Sequence, residues 1–330
     1  MNLLTVENLT VTLATGSGDA QAVRNLSFNV GHGEILGVAG ESGSGKTMTA
    51  LSMLGLLPYK GKASGSIKFD GREILTSSKR QYRDLRGKEI AMIFQDPMTS
   101  LHPMLTVEVQ LTEHLRHHRK VSKDAARNSA LELLATVKIP EPAAALRAHP
   151  SQFSGGMRQR IAIAMALACE PKLLIADEPT TALDVTVQAG ILKLLHQLRK
   201  ERNLSVMVIT HDLGVLSSLT DRIMIMYAGS EVESGLTSDL LKNPRHPYTK
   251  GLIAALPGNS EINSKNLLSI DGMPPELGNF PTGCAFHTRC KYAKESCKGA
   301  VPDVINLTPT HRIFCPVNPF TDVSNSGVKP

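Results

Sequence analysis

The octapeptide Gly40-Glu41-Ser42-Gly43-Ser44-Gly45-Lys46-Thr47 constrains this chain more than any other stretch. It follows the apolar run Glu34 to Ala39, which reads as a short buried strand, and precedes Met48 to Leu54, which reads as a helix. The spacing fits G-x-x-x-x-G-K-[ST]. Its glycines let successive backbone N–H groups turn inward around a phosphate while the next helix presents its positive end. Lys46 is expected on the β- and γ-phosphates of a nucleotide, and the Thr47 hydroxyl on Mg²⁺.

The remaining elements fall around that loop. Leu3 to Leu13 and Ala22 to Val30 read as an antiparallel pair joined by a turn at Thr15 to Asp19, and Gly65 to Gly71 as a further hairpin strand. Ile90 to Phe94 is a buried strand ending at Gln95. From Pro103 to Pro150 the apolar spacing turns helical, as at Ala125, Leu131, Leu134 and Val137, which reads as a helical insert between core strands. Ser154-Gly155-Gly156 opens another helix and looks like an anion-binding nest without a lysine. Lys172 to Pro179 is an apolar strand ending in Asp177 and Glu178. Adjacent residues of an extended chain face opposite ways, so these two acids are expected to do different jobs, Asp177 on Mg²⁺ and Glu178 on the attacking water. A turn at Thr180 to Asp184, a helix from Val187 to Lys200 and a strand from Ser205 ending at His211 follow.

Net charge narrows the partners only slightly. Lys and Arg total 36 against 30 acidic residues, spread along the chain, so the formal +6 describes no nucleic-acid footprint. The N-terminal residues carry no secretory pattern, and no window approaches the roughly 20 apolar residues of a membrane helix. The expectation is a cytosolic protein, or one held at a membrane by a partner.

In this order the motifs resemble the nucleotide-binding subunits of ABC transporters, from about Leu3 to Gly235. Gly40 to Thr47 corresponds to Walker A, Gln95 to the Q-loop, Ser154-Gly155-Gly156 to the signature, Leu173 to Asp177 to Walker B, Ala182-Leu183-Asp184 to the D-loop and His211 to the switch histidine. The resemblance implies an α/β fold: a P-loop NTPase core with an antiparallel β subdomain, a helical subdomain at about 100–165, and a small cysteine-containing extension. The nucleotide-binding domain is expected over 1–257 and the extension over 258–330. It also implies that Gly40, Glu41, Ser42, Gly43, Ser44, Gly45, Lys46, Thr47, Thr49, Gln95, Ser154, Gly155, Gly156 and Asp184 serve ATP. Thr47, Gln95 and Asp177 serve Mg²⁺, and Glu178, His211 and Lys46 are catalytic. Two such domains pair head to tail in that family, so Ser154 to Gly156 would face a partner's γ-phosphate, while Gln95 and Asp96 to Leu101 would sense a permease.

Phe153 to Arg160, Ile93 to Leu101, Asn243 to Thr249 and the tail from Gly283 to Pro316 are similar to the peptide/nickel importer branch. That branch implies ATP-driven uptake of dipeptides or oligopeptides, with nickel and glutathione as alternatives. It also implies two permease subunits, a second homologous ATPase, an extracytoplasmic solute-binding protein and a place on the cytoplasmic face of the inner membrane. Three departures stand out. The first thirty residues hold no aromatic except Phe28, so the ring that usually stacks on adenine is missing near residues 13 to 21; Met157 replaces a frequent glutamine, and His102 a frequent asparagine.

Four of the five cysteines crowd the tail as Cys284-x5-Cys290-x6-Cys297-x17-Cys315. The spacing is irregular for a zinc ribbon and unlike ferredoxin patterns, and a disulfide framework does not suit the cytosol. The residues leave an iron–sulfur cluster, Zn²⁺ and free thiols open. The resemblance implies a 4Fe-4S site. Asn243 to Pro257 reads as a docking segment, Gly258 to Lys265 as a polar linker and Asn318 to Pro330 as a disordered end.

Other classes fit less well. A DNA-repair ABC ATPase places a long coiled coil between Walker A and the signature, whereas Lys46 and Ser154 are only 108 positions apart. A translation-factor ABC protein carries two such domains in one chain. A non-hydrolysing regulatory subunit is at odds with an intact Glu178 and His211. No nucleic-acid partner is expected.

Overall fold

The computed structural model describes residues 2–16, 18–96, 100–180, 183–256 and 270–320. The stretch 97–99, Thr181 and Ala182, the expected linker at 258–265 and most of the expected disordered end lie outside the described residues. Two long strands open the chain, β1 (Asn2–Thr15) and β2 (Gly18–Gly31), paired antiparallel as the alternation predicts. After β3 (Ile35–Ala39), β4 (Lys62–Phe69) and the short β5 (Arg72–Glu73) complete a four-stranded antiparallel sheet in the order β2-β1-β4-β5.

The second sheet carries the core. It adds β6 (Ile90–Ile93), β7 (Leu173–Asp177), β8 (Ser205–Thr210), β9 (Arg222–Tyr227) and β10 (Ser230–Leu236), and ends in β11 (Ile305–Thr308) and β12 (His311–Ile313). The strand order is β11-β12-β10-β9-β3-β8-β7-β6, with β9, β3, β8, β7 and β6 parallel. Parallel strands are covered on both faces, which is why these segments read as unbroken apolar runs. On β8, Val206 and Val208 join the core on one face, Met207 and Ile209 the core on the other.

The face carrying Met207 is covered by the antiparallel sheet and α1 (Lys46–Met53), with α2 (Lys79–Leu85) beside them. Helices cover the opposite face: α3 (Val107–Arg119), α4 (Lys123–Thr136), α5 (Pro142–Arg147), α6 (Gly155–Leu167), α7 (Val185–Arg202) and α8 (Leu213–Leu219). Their starts are set by side-chain caps, with Thr106, Ser122, Ser154, Asp184 and Asp212 each accepting a hydrogen bond from a first-turn N–H. On α4, Ala126, Ala130, Leu133 and Leu134 are buried, one face of a 3.6-residue period.

The tail does not hang free of this core. β12 pairs with β10, Glu233 opposite Ile313 and Ser234 opposite Arg312, so the cysteine-bearing extension lengthens the core sheet. Beneath that junction the Glu233 carboxylate is wholly buried and accepts from the N–H groups of Arg245 and His246 (2.8 and 2.9 Å), with His311 Nε2 at 2.7 Å. β10 is followed by α9 (Thr237–Lys242), and the expected docking segment from Asn243 onward carries α10 (Pro247–Ala254). α11 (Ser296–Gly299) belongs to the tail, whose Phe286 packs edge-on to Tyr227 with ring centroids 5.3 Å apart. Among the described residues no helix is long and apolar enough to cross a membrane.

Candidate functional site

Strand register alone gathers the site. In the parallel sheet Ala39 lies level with Thr210, Asp177 with Ile209, and Ile93 with Ala176. The residues just beyond these strand ends therefore emerge at one edge: Gly40 onward after β3, Gln95 after β6, Glu178 after β7 and His211 after β8. Ligands of open α/β sheets bind at this carboxyl edge.

The loop after β3 is built for close approach. Gly45 caps α1 in the left-handed region (φ +97°), and a Cβ there would lie 2.5 Å from the Ala22 carbonyl oxygen, so no other residue fits. Lys46 is 7% exposed. Its Nζ donates to the carbonyls of Gly40 (2.8 Å) and Glu41 (2.9 Å) and to Ser44 Oγ (3.3 Å), using all three ammonium donors within the loop. Burial lowers the Lys46 pKa, opposed by the charges of Glu178, Asp177 and Glu41. Asp177 is buried and its carboxyl pKa is raised, chiefly by burial and also by Glu178, while the Thr47 hydroxyl and the Lys46 charge pull it down. Two oxygen donors, the Thr47 hydroxyl and the Asp177 carboxylate, thus already adjoin, a set that suits Mg²⁺.

Glu178 departs from simple strand alternation. It leaves β7 with φ +48°, an uncommon conformation for a glutamate, fixed by its N–H donating to the Ile209 carbonyl at 2.8 Å. Its carboxylate accepts from Gln95 Nε2 (3.0 Å) and meets His211 Nδ1 (3.0 Å). The two neighbouring acids do occupy different surroundings, one buried beside Thr47, the other between Gln95 and a largely exposed imidazole.

Ser42 to Met48, Gln95 and Glu178 line one cavity of about 250 Å³. Other expected residues stand apart from it. Thr49 is buried behind the loop, with its hydroxyl donating to the Gly45 carbonyl at 3.0 Å. Ser154, Gly155 and Gly156 begin α6 outside the cavity, and Gly156 packs so closely on α7 that a Cβ would lie 2.5 Å from a Val187 methyl. Asp184 is exposed and caps α7 through Val187 N–H (2.9 Å).

Comparison with known proteins agrees with this geometry. Residues 23–181 match the family described as ABC transporter, and residues 232–297 the one described as oligopeptide/dipeptide transporter, C-terminal region. The dipeptide transport ATP-binding protein DppD of Bacillus subtilis is 48% identical over 315 residues, 95% of this chain and 94% of that one. The chain belongs to the ABC transporter family. The oligopeptide transport ATP-binding protein OppD of Salmonella typhimurium is similar to this ABC ATPase at 49% identity over 300 residues, covering 91% and 89% of the two chains. A dimeric ATP-binding cassette solved in a post-hydrolysis state bound to ADP and Pi superimposes with a TM-score of 0.64 at 30% identity, over 71% of this chain and 98% of that one. The fold expected from the motifs therefore holds, with its α/β core, antiparallel sheet and helical insert, and membership brings ATP and Mg²⁺ as the family's ligands.

The ABC ATPase also contains residues that sequence reasoning passed over. Arg289 of the tail forks onto Glu41 of the phosphate loop, Nη1 to Oε2 at 2.6 Å and Nη2 to Oε1 at 3.1 Å, and Glu41 N–H donates to the Tyr248 hydroxyl at 2.9 Å. Leu277 joins the lining of the nucleotide cavity from the same extension. Neither is marked by a local pattern. The four tail cysteines, all free thiols, converge on one small cavity with His246 and His287 at its wall. Burial pushes the Cys284 thiol up to about 11, and raises those of Cys290 and Cys315 as well. Among the described residues no three His, Cys, Asp or Glu side chains are gathered as ligands of a single metal ion.

Proposed function

We propose that this chain is the ATP-hydrolysing subunit of an importer of dipeptides or oligopeptides. It would be bound to two permease subunits at the cytoplasmic face of the inner membrane, paired with a second, homologous ATPase and supplied by an extracytoplasmic solute-binding protein. Likeness through the tail carries the reading: relatives named for dipeptide and oligopeptide transport are 48% and 49% identical over nine-tenths of the chain, and the peptide-transporter C-terminal region matches residues 232–297. Nickel and glutathione importers of the same branch are the alternatives. Residues 1–257 would form the nucleotide-binding domain and 258–330 the extension.

In this reading phosphate oxygens replace the loop carbonyls around Lys46, which exchanges neutral hydrogen bonds for charge-assisted ones. Thr47, Asp177 and Gln95 would hold Mg²⁺, which when bound offsets phosphate charge. Glu178, oriented by Gln95 and His211, would accept a proton from the attacking water. Ser154 to Gly156 begin a 13-residue helix outside this chain's own cavity, a placement suited to meeting the γ-phosphate held by the companion ATPase. Binding would close the pair and hydrolysis would reopen it.

The four tail cysteines are assigned to a 4Fe-4S cluster, with Zn²⁺ as the alternative. Four thiols around one cavity supply the ligand number of such a cluster, which spreads its ligands more widely than a single ion does. Bound, the cluster would cross-link the loops that carry the cysteines. Iron and acid-labile sulfide in equal amounts in anaerobically purified protein support the assignment, and stoichiometric zinc without iron overturns it.

Transport itself is tested in cells lacking their own copy. Wild-type protein should restore uptake of a labelled dipeptide, and Glu178→Gln should not; equal restoration by both would remove ATP hydrolysis at this site from the mechanism.

A further inference from the structure

Among the described residues that line the nucleotide cavity none is aromatic. Phe28 is 6% exposed within the core and lines no part of the cavity. Once the phosphate loop, Gln95 and Glu178 are set aside, what remains of the lining is apolar: Leu13 of β1, Ala22 of β2, Met48 of α1 and Leu277 from the C-terminal extension. A nucleotide has one flat, weakly polar part, its purine, and these are the side chains that can cover it. Leu277 is 38% exposed in the protein alone, apolar surface left for a ligand to bury.

The extension is anchored at both ends of this stretch. Gly278 lies against the β2 strand, where a Cβ built on it would sit 3.6 Å from that of Ala20, and the Phe280 ring lies 4.8 Å beneath the Arg24 guanidinium. At the other end the Arg289 side chain, 4% exposed, grips Glu41 with two hydrogen bonds. A bidentate, largely buried arginine–carboxylate pair fixes orientation as well as distance. The loop that meets the phosphates and the segment that presents Leu277 are therefore tied to each other directly.

We propose that Leu277 and Leu13 form the purine clamp of this ATPase, so that the C-terminal extension is part of the nucleotide site, with Arg289 as the positioning residue that seats it. Apolar contact replaces aromatic stacking. The inference rests on the reading that this cavity binds ATP. Because the clamp touches the base and not the reacting phosphates, its loss should weaken binding uniformly, raising KM with little change in kcat.

The test is calorimetric titration of the full-length protein with Mg-ATP and with inorganic tripolyphosphate, which has the phosphates and no base. Leu277→Ala should weaken ATP about five- to tenfold, the scale of losing a half-buried leucine contact, and leave tripolyphosphate unchanged. Leu277→Phe should bind ATP at least as tightly as wild type, and Arg289→Ala should weaken ATP by a similar factor. Unchanged ATP affinity in Leu277→Ala, or equal losses for both ligands, would overturn the clamp while leaving the ATP site standing. Wild-type protein that binds neither ligand would overturn the reading beneath it.

Discussion

The carboxylate of Glu178 lies 3.0 Å from Nδ1 of His211, and the two side chains meet because β7 and β8 run parallel with Asp177 level with Ile209. Glu178 then turns out of the strand, tied by its N–H to the Ile209 carbonyl, two residues before His211. A carboxylate so held is aimed before any substrate arrives. Glu178→Gln keeps the side-chain size and removes the proposed base, so ATP turnover should fall at least 100-fold while ATP affinity changes little. Steady-state hydrolysis and retention of labelled ATP by the assembled pair measure both.

Gly45 gives a second, purely conformational prediction. Its φ of +97° and the 2.5 Å approach that a Cβ would make to Ala22 O leave alanine no strain-free position. Gly45→Ala should cost about 2 kcal/mol of folding stability by chemical denaturation and lower ATP affinity at least tenfold, since the loop must open to relieve the clash. Gly43→Ala, at a glycine with nothing within 4 Å of its Cβ position, should cost clearly less.

His246 predicts a pH dependence. It is buried, its Nδ1 accepts from Tyr248 N–H at 3.1 Å, and its Nε2 has no hydrogen-bond partner among the described residues. Burial pushes its pKa down to about 4, with Glu233 opposing. Between that value and the unfolded value of about 6.5 the unfolded chain binds more protons, so stability rises with pH and is lost as pH falls from 6.5 towards 4. The contribution is about 3 kcal/mol at most. His246→Asn keeps a cap acceptor and removes the titration. The stability difference between pH 7 and pH 4 should shrink by that amount in urea unfolding curves, and an identical slope in both proteins would exclude His246 as its source.

What the sequence made legible was whatever is local or periodic. The phosphate loop, the strand ends at Gln95, Asp177 and His211, and the helical insert all declare themselves within a dozen residues. α2 carried a readable signal in Ser78 and Gln81, whose side chains form a reciprocal capping box. The rest depended on pairings between distant segments. Arg289 and Glu41 are 248 positions apart, and nothing near either predicts the other. The β11–β12 hairpin is short, with β11 mostly exposed and β12 only three residues long, too few to show a period, and its pairing to β10 goes with the Glu233 network beneath. Leu277 lies in a Gly- and Pro-rich segment between Met273 and Phe280 with no helical or strand period, so nothing local marks it as cavity lining.

Whether a nucleotide's phosphates occupy the loop around Lys46, and whether their release drives transport, is tested most directly by ATP hydrolysis in the complex reconstituted with its permeases, carrying Lys46→Ala in this chain. Removing the buried ammonium takes away the charge that replaces water around the phosphates, and both ATP turnover at this site and peptide uptake should fall to background. ATP hydrolysis and uptake at wild-type rates in that variant would contradict it.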